Sequence, residues 1–306
     1  MRPRLLAPAA ALPACAVLLT GPPSDVGGPG LWWAPWSGGV AVHEVAASAA
    51  GRALAHWPVL RTAASGTPSA HVARLRPAPG YGGGRARPVG GLVARTTGKV
   101  FFSYRGRDFM CSGSTVRSAN RDLVVTAAHC LRPDRRGWAD DWTFVPGYTG
   151  GRAPFGVFTA RRMLVPDSWS RRRDGDSDVG MAVLAPRAGR HVADVVGAQD
   201  IAFGGPPRRR TLVFGYPVAP GPDGERPAYC AGLPVPDPRG ETRGRGVRCR
   251  MARGSSGGPW LARFDPATGA GTLVAVTSFR YSDDPTTLYA PPFGRTVRTL
   301  YARARR

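Results

Sequence analysis

Three short segments carry residue types that together can transfer an acyl group. Val124-Val125-Thr126-Ala127-Ala128-His129-Cys130 reads as a buried strand that breaks into small residues just before a histidine. Asp174-Gly175-Asp176-Ser177-Asp178-Val179-Gly180-Met181-Ala182-Val183 runs acids straight into a strand. Arg253-Gly254-Ser255-Ser256-Gly257-Gly258-Pro259-Trp260 sets a serine among glycines ahead of another apolar strand. A serine hydroxyl is a weak nucleophile until an imidazole takes its proton, and a buried carboxylate must hold that imidazole in the right tautomer. Backbone N–H groups must also face the developing oxyanion, and flanking glycines permit the tight turn that aims them. His129, Asp178 and Ser256 are therefore the candidate base, orienting acid and nucleophile. The N–H groups of Gly254 and Ser256 are the candidate oxyanion donors.

Each residue has a plainer reading. A serine in a Gly-rich turn is usually only a turn, and a lone histidine is usually a satisfied core residue. Asp174, Asp176 and Asp178 mimic the start of a calcium loop, but its sixth position would be Val179 rather than Gly and its twelfth Ala185 rather than Glu. Cys111, His129 and Cys130 could hold zinc, yet His129 and Cys130 are adjacent and no close-spaced cysteine pair accompanies them. Neither metal nor cofactor is expected.

The elements that must position these residues read as strands. Beyond residue 95, short β-branched and aromatic runs such as Val100-Phe101-Phe102, Thr211-Leu212-Val213-Phe214 and Thr272-Leu273-Val274-Ala275-Val276 are bounded by Gly, Pro and Asp. Such texture predicts an all-β sandwich or barrel, and 41 Gly with 31 Pro among 306 residues argue against a helix bundle. Only Thr296–Tyr301 shows helical apolar spacing. Four cysteines, Cys111, Cys130, Cys230 and Cys249, suit two disulfides in an exported chain, with three possible connectivities. Sequential pairing closes two short loops, each stabilising by roughly 3 kcal/mol.

The amino-terminal third differs. Residues 1–20, basic and then apolar, read as a secretory signal peptide, with Cys15 faintly like a lipidation site. Residues 21–95 read as a low-complexity leader or pro-segment, with His43, His56 and His71 as solvated loop residues. Residues 96–306 form the main domain. No uninterrupted apolar stretch of about 18 residues is present, so no membrane span is expected.

The text around the three motifs closely resembles the trypsin/chymotrypsin-like serine peptidases, secreted bacterial branch, over about residues 96 to 306. Thr126-Ala127-Ala128-His129-Cys130 is similar to the family's histidine motif. Gly254-Xaa-Ser256-Gly257-Gly258-Pro259 is similar to its nucleophile motif, and Asp178-Val179-Gly180 to its acid triplet. The resemblance implies a double six-stranded antiparallel β-barrel with a C-terminal helix, the triad between the barrels, and a Cys111–Cys130 pair. It implies a secreted, monomeric serine endopeptidase acting on protein or peptide substrates.

Two departures stand out. Ser255 replaces the acid that zymogen-type members pair with a freshly cut N-terminus, so that activation route is unavailable. Arg250, six residues before Ser256, stands at the expected base of the specificity pocket, which Ser278, Phe279 and Arg280 would also line. Pointing inward, Arg250 would favour Glu or Asp before the scissile bond; pointing outward, it would leave an ordinary apolar pocket.

The chain carries a formal net charge of +22, and Lys99 is its only lysine. The surplus favours an anionic cell-surface polymer as a further partner, whereas Trp32, Trp33 and Trp36 stand apart from the arginines, so specific nucleic-acid binding is not expected. The rival to an enzyme is a catalytically idle homologue acting as a cationic binding module through Arg161-Arg162, Arg171–Arg173 and Arg208–Arg210.

Overall fold

Strands β3 (Thr97–Tyr104) and β4 (Arg107–Thr115) form a hairpin around Arg105-Gly106 and lie at the centre of a seven-stranded sheet. The computed structural model describes residues 39–57, 75–78, 89–205, 208–218, 224–251 and 253–306. The signal-peptide and Cys15 readings and His71 lie outside the described residues. So do parts of the 21–95 leader.

The sheet adds β5 (Leu123–Thr126), β6 (Asp140–Pro146), β7 (Phe158–Pro166) and β8 (Gly180–Leu184). Its order runs β7-β6-β3-β4-β5-β8, and β8 pairs back onto β7, closing a six-stranded antiparallel barrel. Closure explains why β5 and β8 are buried at every position rather than alternating. Val100, Val124, Phe144, Ala182 and Leu184 fill the interior.

The second half is built from β10 (Thr211–Gly215), β11 (Ala228–Gly232), β13 (Arg245–Arg248), β14 (Pro259–Asp265), β15 (Ala270–Val276) and β16 (Thr287–Ala290). β11-β10-β14-β15 form one antiparallel ladder and β13-β16 another. The Cys230–Cys249 disulfide joins β11 to the residue following β13. Two-residue strands β2 (Arg76–Pro77), β9 (Asp200–Ile201) and β12 (Val235–Pro236) border β11, β15 and β13. Val213, Phe214, Trp260, Leu273 and Val276 pack its core.

The helix Arg295–Ala304 forms where the apolar spacing predicts it and buries Val297, Leu300 and Ala304. Asn120 Nδ2 donates to Ala304 O at 2.7 Å and Tyr301 OH to Arg117 O at 2.6 Å, fastening the helix to the first barrel. No helix of the described residues is long and apolar enough to cross a membrane.

The leader is not all loop. β1 (Val40–Glu44) pairs antiparallel with β7, from Val40 opposite Pro166 to Glu44 opposite Arg162, and extends the first barrel's sheet. The helix Ala47–His56 follows, and Trp57 buries its ring against Phe101 while its Nε1 donates to Asp141 O at 3.0 Å. His43 stacks on Trp138 and His56 reaches Asp108 at 2.8 Å, so neither is a free loop histidine. β7 outruns β6, which pairs only with Phe158 and Thr159, and the bare edge beyond is what β1 covers. Leu75, Ala78 and Val89 likewise enter the core.

Candidate active site

His129 follows the buried strand β5 in a single helical turn, Ala128–Cys130. Cys130 is bonded to Cys111 in β4, and Trp142 Nε1 donates to Cys130 O at 3.0 Å, so the turn is fixed on both sides. The disulfide also takes both sulfurs away from any zinc reading with His129. Both disulfides follow the sequential pairing.

Asp178 ends the turn Gly175–Ser177, which Asp174 caps by accepting from Asp176 N–H. Its carboxylate is 3% exposed and fully engaged. Oδ1 accepts the His129 backbone N–H at 2.9 Å, and Oδ2 faces His129 Nδ1 at 2.8 Å and accepts Ser278 Oγ–H at 2.5 Å. Burial opposes ionisation, but the charge and ring N–H of His129, the Ser278 hydroxyl and the His129 backbone N–H outweigh it. They hold the carboxyl below the usual range. The other two acids are engaged elsewhere: Asp174 in its cap and Asp176 with Arg243 at 2.7 Å.

Ser256 is half-buried in the turn ahead of β14. Ser112 N–H donates to its carbonyl at 2.7 Å. Gly257 has φ +78°, and a Cβ there would lie 2.1 Å from Thr126 Oγ1 and 2.8 Å from Ala127 N. Only glycine allows that approach, which lays the serine turn against the strand leading into His129. Gly257 N–H also donates to Thr277 O at 2.7 Å, one residue before the Ser278 that holds Asp178. The three segments thus converge on one another. Among the described residues, no carbonyl takes the N–H of Gly254 or of Ser256.

A cleft of about 350 Å³ opens over His129 and Asp178, lined by Trp169, Arg173, Thr242, Phe279 and Tyr281. Phe279 is stacked on Tyr289 at 5.2 Å. Ser278 lines the cleft too, but its hydroxyl is engaged by Asp178 rather than offered to a substrate. Arg280 is exposed. Arg250 is exposed as well and borders a different hollow of about 890 Å³ with Arg248, Asp284 and Tyr289. The inward-pointing reading of Arg250, which required a buried guanidinium, is thereby corrected: one residue after Cys249 the side chain turns outward to water, where its charge needs no partner.

Sequence reasoning missed Ser112. Its N–H holds Ser256 O, its carbonyl accepts Thr126 Oγ1 at 2.8 Å, and its hydroxyl donates to Gly254 O at 2.8 Å while accepting Tyr216 N–H at 2.9 Å. Trp169 and Arg173 were missed too. The guanidinium lies 3.8 Å from the indole centroid, and both groups donate to Arg132 O.

No family profile matches the chain. Among curated proteins, an extracellular metalloprotease of Bacillus subtilis is 32% identical over 82 residues, 27% of this chain and 25% of that relative's length. Among solved structures, the protease Anisep from Arthrobacter nicotinovorans is 33% identical with a TM-score of 0.66, over 69% of this chain and 95% of that one. The thermostable serine protease AL20, from an extremophilic microorganism, is 34% identical with a TM-score of 0.66, over 70% and 98%. A Glu endopeptidase shares the fold at a TM-score of 0.55 with 15% identity, over 70% and 94%. With a third of the matched residues identical over about 70% of this chain and nearly the whole length of two bacterial proteases, and a closed six-stranded barrel like theirs, this chain belongs to the trypsin/chymotrypsin-like serine peptidases.

Proposed function

We propose that the chain is a secreted serine endopeptidase that hydrolyses peptide bonds through an acyl-enzyme on Ser256. The observation that carries this reading is the Asp178 carboxylate, which grips His129 by both its backbone N–H and its ring Nδ1. Accepting from Nδ1–H leaves the lone pair on Nε2 for the serine proton. As Ser256 Oγ bonds to the substrate carbonyl carbon, His129 takes the hydroxyl proton and the carbonyl oxygen becomes an oxyanion. The N–H groups of Gly254 and Ser256 would receive it. The intermediate collapses by expelling the amine, which leaves with the proton from His129. Water then attacks the acyl-enzyme with His129 again as base, freeing Ser256. Asp178 stays ionised throughout and stabilises the imidazolium.

Two disulfides and the basic-then-apolar amino terminus support export, as does the extracellular curated relative. The exposed Arg250 supports no preference for acidic residues before the scissile bond. The deciding experiment is fluorophosphonate labelling of the oxidised protein, with Ser256→Ala as control. A covalent adduct on Ser256 is expected. A folded protein that takes up no label would overturn the enzyme reading in favour of a cationic binding module.

A further inference from the structure

Lys99, the chain's only lysine, is buried in β3 at 1% exposure. Its Nζ donates to Glu225 Oε1 at 3.0 Å and lies 4.5 Å from the Tyr148 ring centroid and 5.0 Å from that of Phe101. The other Glu225 oxygen accepts Tyr148 OH at 2.6 Å and Gly151 N–H at 2.9 Å, and its carbonyl accepts Gly150 N–H at 2.8 Å. A buried ammonium is costly without a partner, and this one has a carboxylate and two aromatic faces. A guanidinium, broader and with five N–H donors to satisfy, is a poor fit to the same space.

Two routes lead from this cluster to the nucleophile turn. Tyr216 OH donates to Tyr148 O at 2.9 Å, and Tyr216 N–H donates to the Ser112 hydroxyl that in turn donates to Gly254 O. Gly224, next to Glu225, packs so closely on Val218 that a Cβ would come within 2.6 Å of Val218 Cγ2. Val218 N–H donates to Arg253 O at 2.6 Å. In a trans peptide the C=O and N–H point in opposite directions. The bond on Arg253 O therefore sets the direction of the Gly254 N–H. Gly254, at φ +86°, sits where a Cβ would be 2.4 Å from Tyr216 O, so the turn rests directly on the clamped segment.

We infer that Lys99 and Glu225 are positioning residues for the oxyanion donor at Gly254, clamping Gly224 and Tyr216 so that the Arg253–Gly254 peptide cannot turn over. The inference rests on the peptidase reading above. It supplies an internal charged anchor to a turn in which Ser255 carries no charge of its own.

The test uses the full-length oxidised protein, with 4-nitrophenyl acetate as substrate and phenylboronic acid as a probe whose tetrahedral adduct places an oxygen in the hole. Lys99→Met should lower kcat by about 10²-fold, the scale of a displaced catalytic group. KM should stay within about twofold, as for a group acting only in the transition state. Phenylboronate affinity should fall in parallel with kcat. Glu225→Gln, which keeps shape and an acceptor for Tyr148, should act in the same direction and serves if Lys99→Met does not fold. Folded variants with unchanged kcat and boronate affinity would overturn the inference. So would loss of folding in both, which would assign the cluster to the core alone. A wild-type protein that takes up no fluorophosphonate would instead overturn the peptidase reading.

Discussion

Ser278 Oγ donates to Asp178 Oδ2, the same oxygen that faces His129 Nδ1, at 2.5 Å. One oxygen thus serves both His129 and a residue of the second half of the chain, and the bond spans the two halves. A hydrogen bond to a buried charged group contributes about 1.5–3 kcal/mol. Ser278→Ala should therefore lower kcat by roughly 10-fold or more with the fold intact. It should also flatten the acid fall of the stability–pH profile, because the carboxylate loses a donor that holds its folded-state pKa down. A profile that does not move would show the bond to be idle.

Asp178→Asn should reduce kcat by about 10⁴-fold, the effect of the wrong imidazole tautomer in chymotrypsin-type enzymes. Asp174→Asn and Asp176→Asn should cost far less, since these residues hold a turn cap and Arg243 rather than His129. Parallel assays of the three variants test the assignment; a crippled Asp174 or Asp176 variant with an active Asp178 variant would reverse it.

Stability should fall in acid. The folded-state pKa of Asp178 lies below its unfolded value, so its contribution is fully present above the unfolded carboxylate range. It is lost as pH falls through the folded pKa. Glu225 is also held below the usual range: burial opposes its charge, but Tyr148, Lys99 and Gly151 outweigh it, so it adds with the same sign. Urea midpoints should hold nearly level from neutral pH to about pH 5 and drop below about pH 4. Glu225→Gln should weaken that dependence.

Much of the candidate site's geometry was legible because each candidate residue sits in a short segment whose own residues dictate its shape: a buried strand broken by alanines, acids before a strand, a serine among glycines. Arg250 was not legible. Its direction depends on how the backbone leaves Cys249, and no local pattern encodes that. Ser112 was invisible because its role consists of bonds to Thr126, Tyr216, Gly254 and Ser256, all distant in sequence. β1 has five residues and the helix after it buries only Ala53, so neither shows a clear period. Their order comes from the open edge of β7 and from Trp57.

Trp57 gives the clearest test of that docking. It is 7% exposed, and Trp57→Ala removes both the packing on Phe101 and the bond to Asp141 O. The loss should be about 3 kcal/mol, read as a lower urea midpoint at an unchanged slope. A variant as stable as the parent would show that the segment adds nothing to the domain.

Lys99 carries the chain's one side-chain amine, and it is 1% exposed. The outer surface therefore displays guanidinium as its only cationic side chain besides histidine. Reagents that acylate primary amines will find no surface side chain to modify while the fold holds, leaving only the backbone amino terminus. A neighbouring protease that cuts after lysine likewise has one site, closed inside the barrel wall. The folded domain is thus out of reach of one whole cleavage specificity.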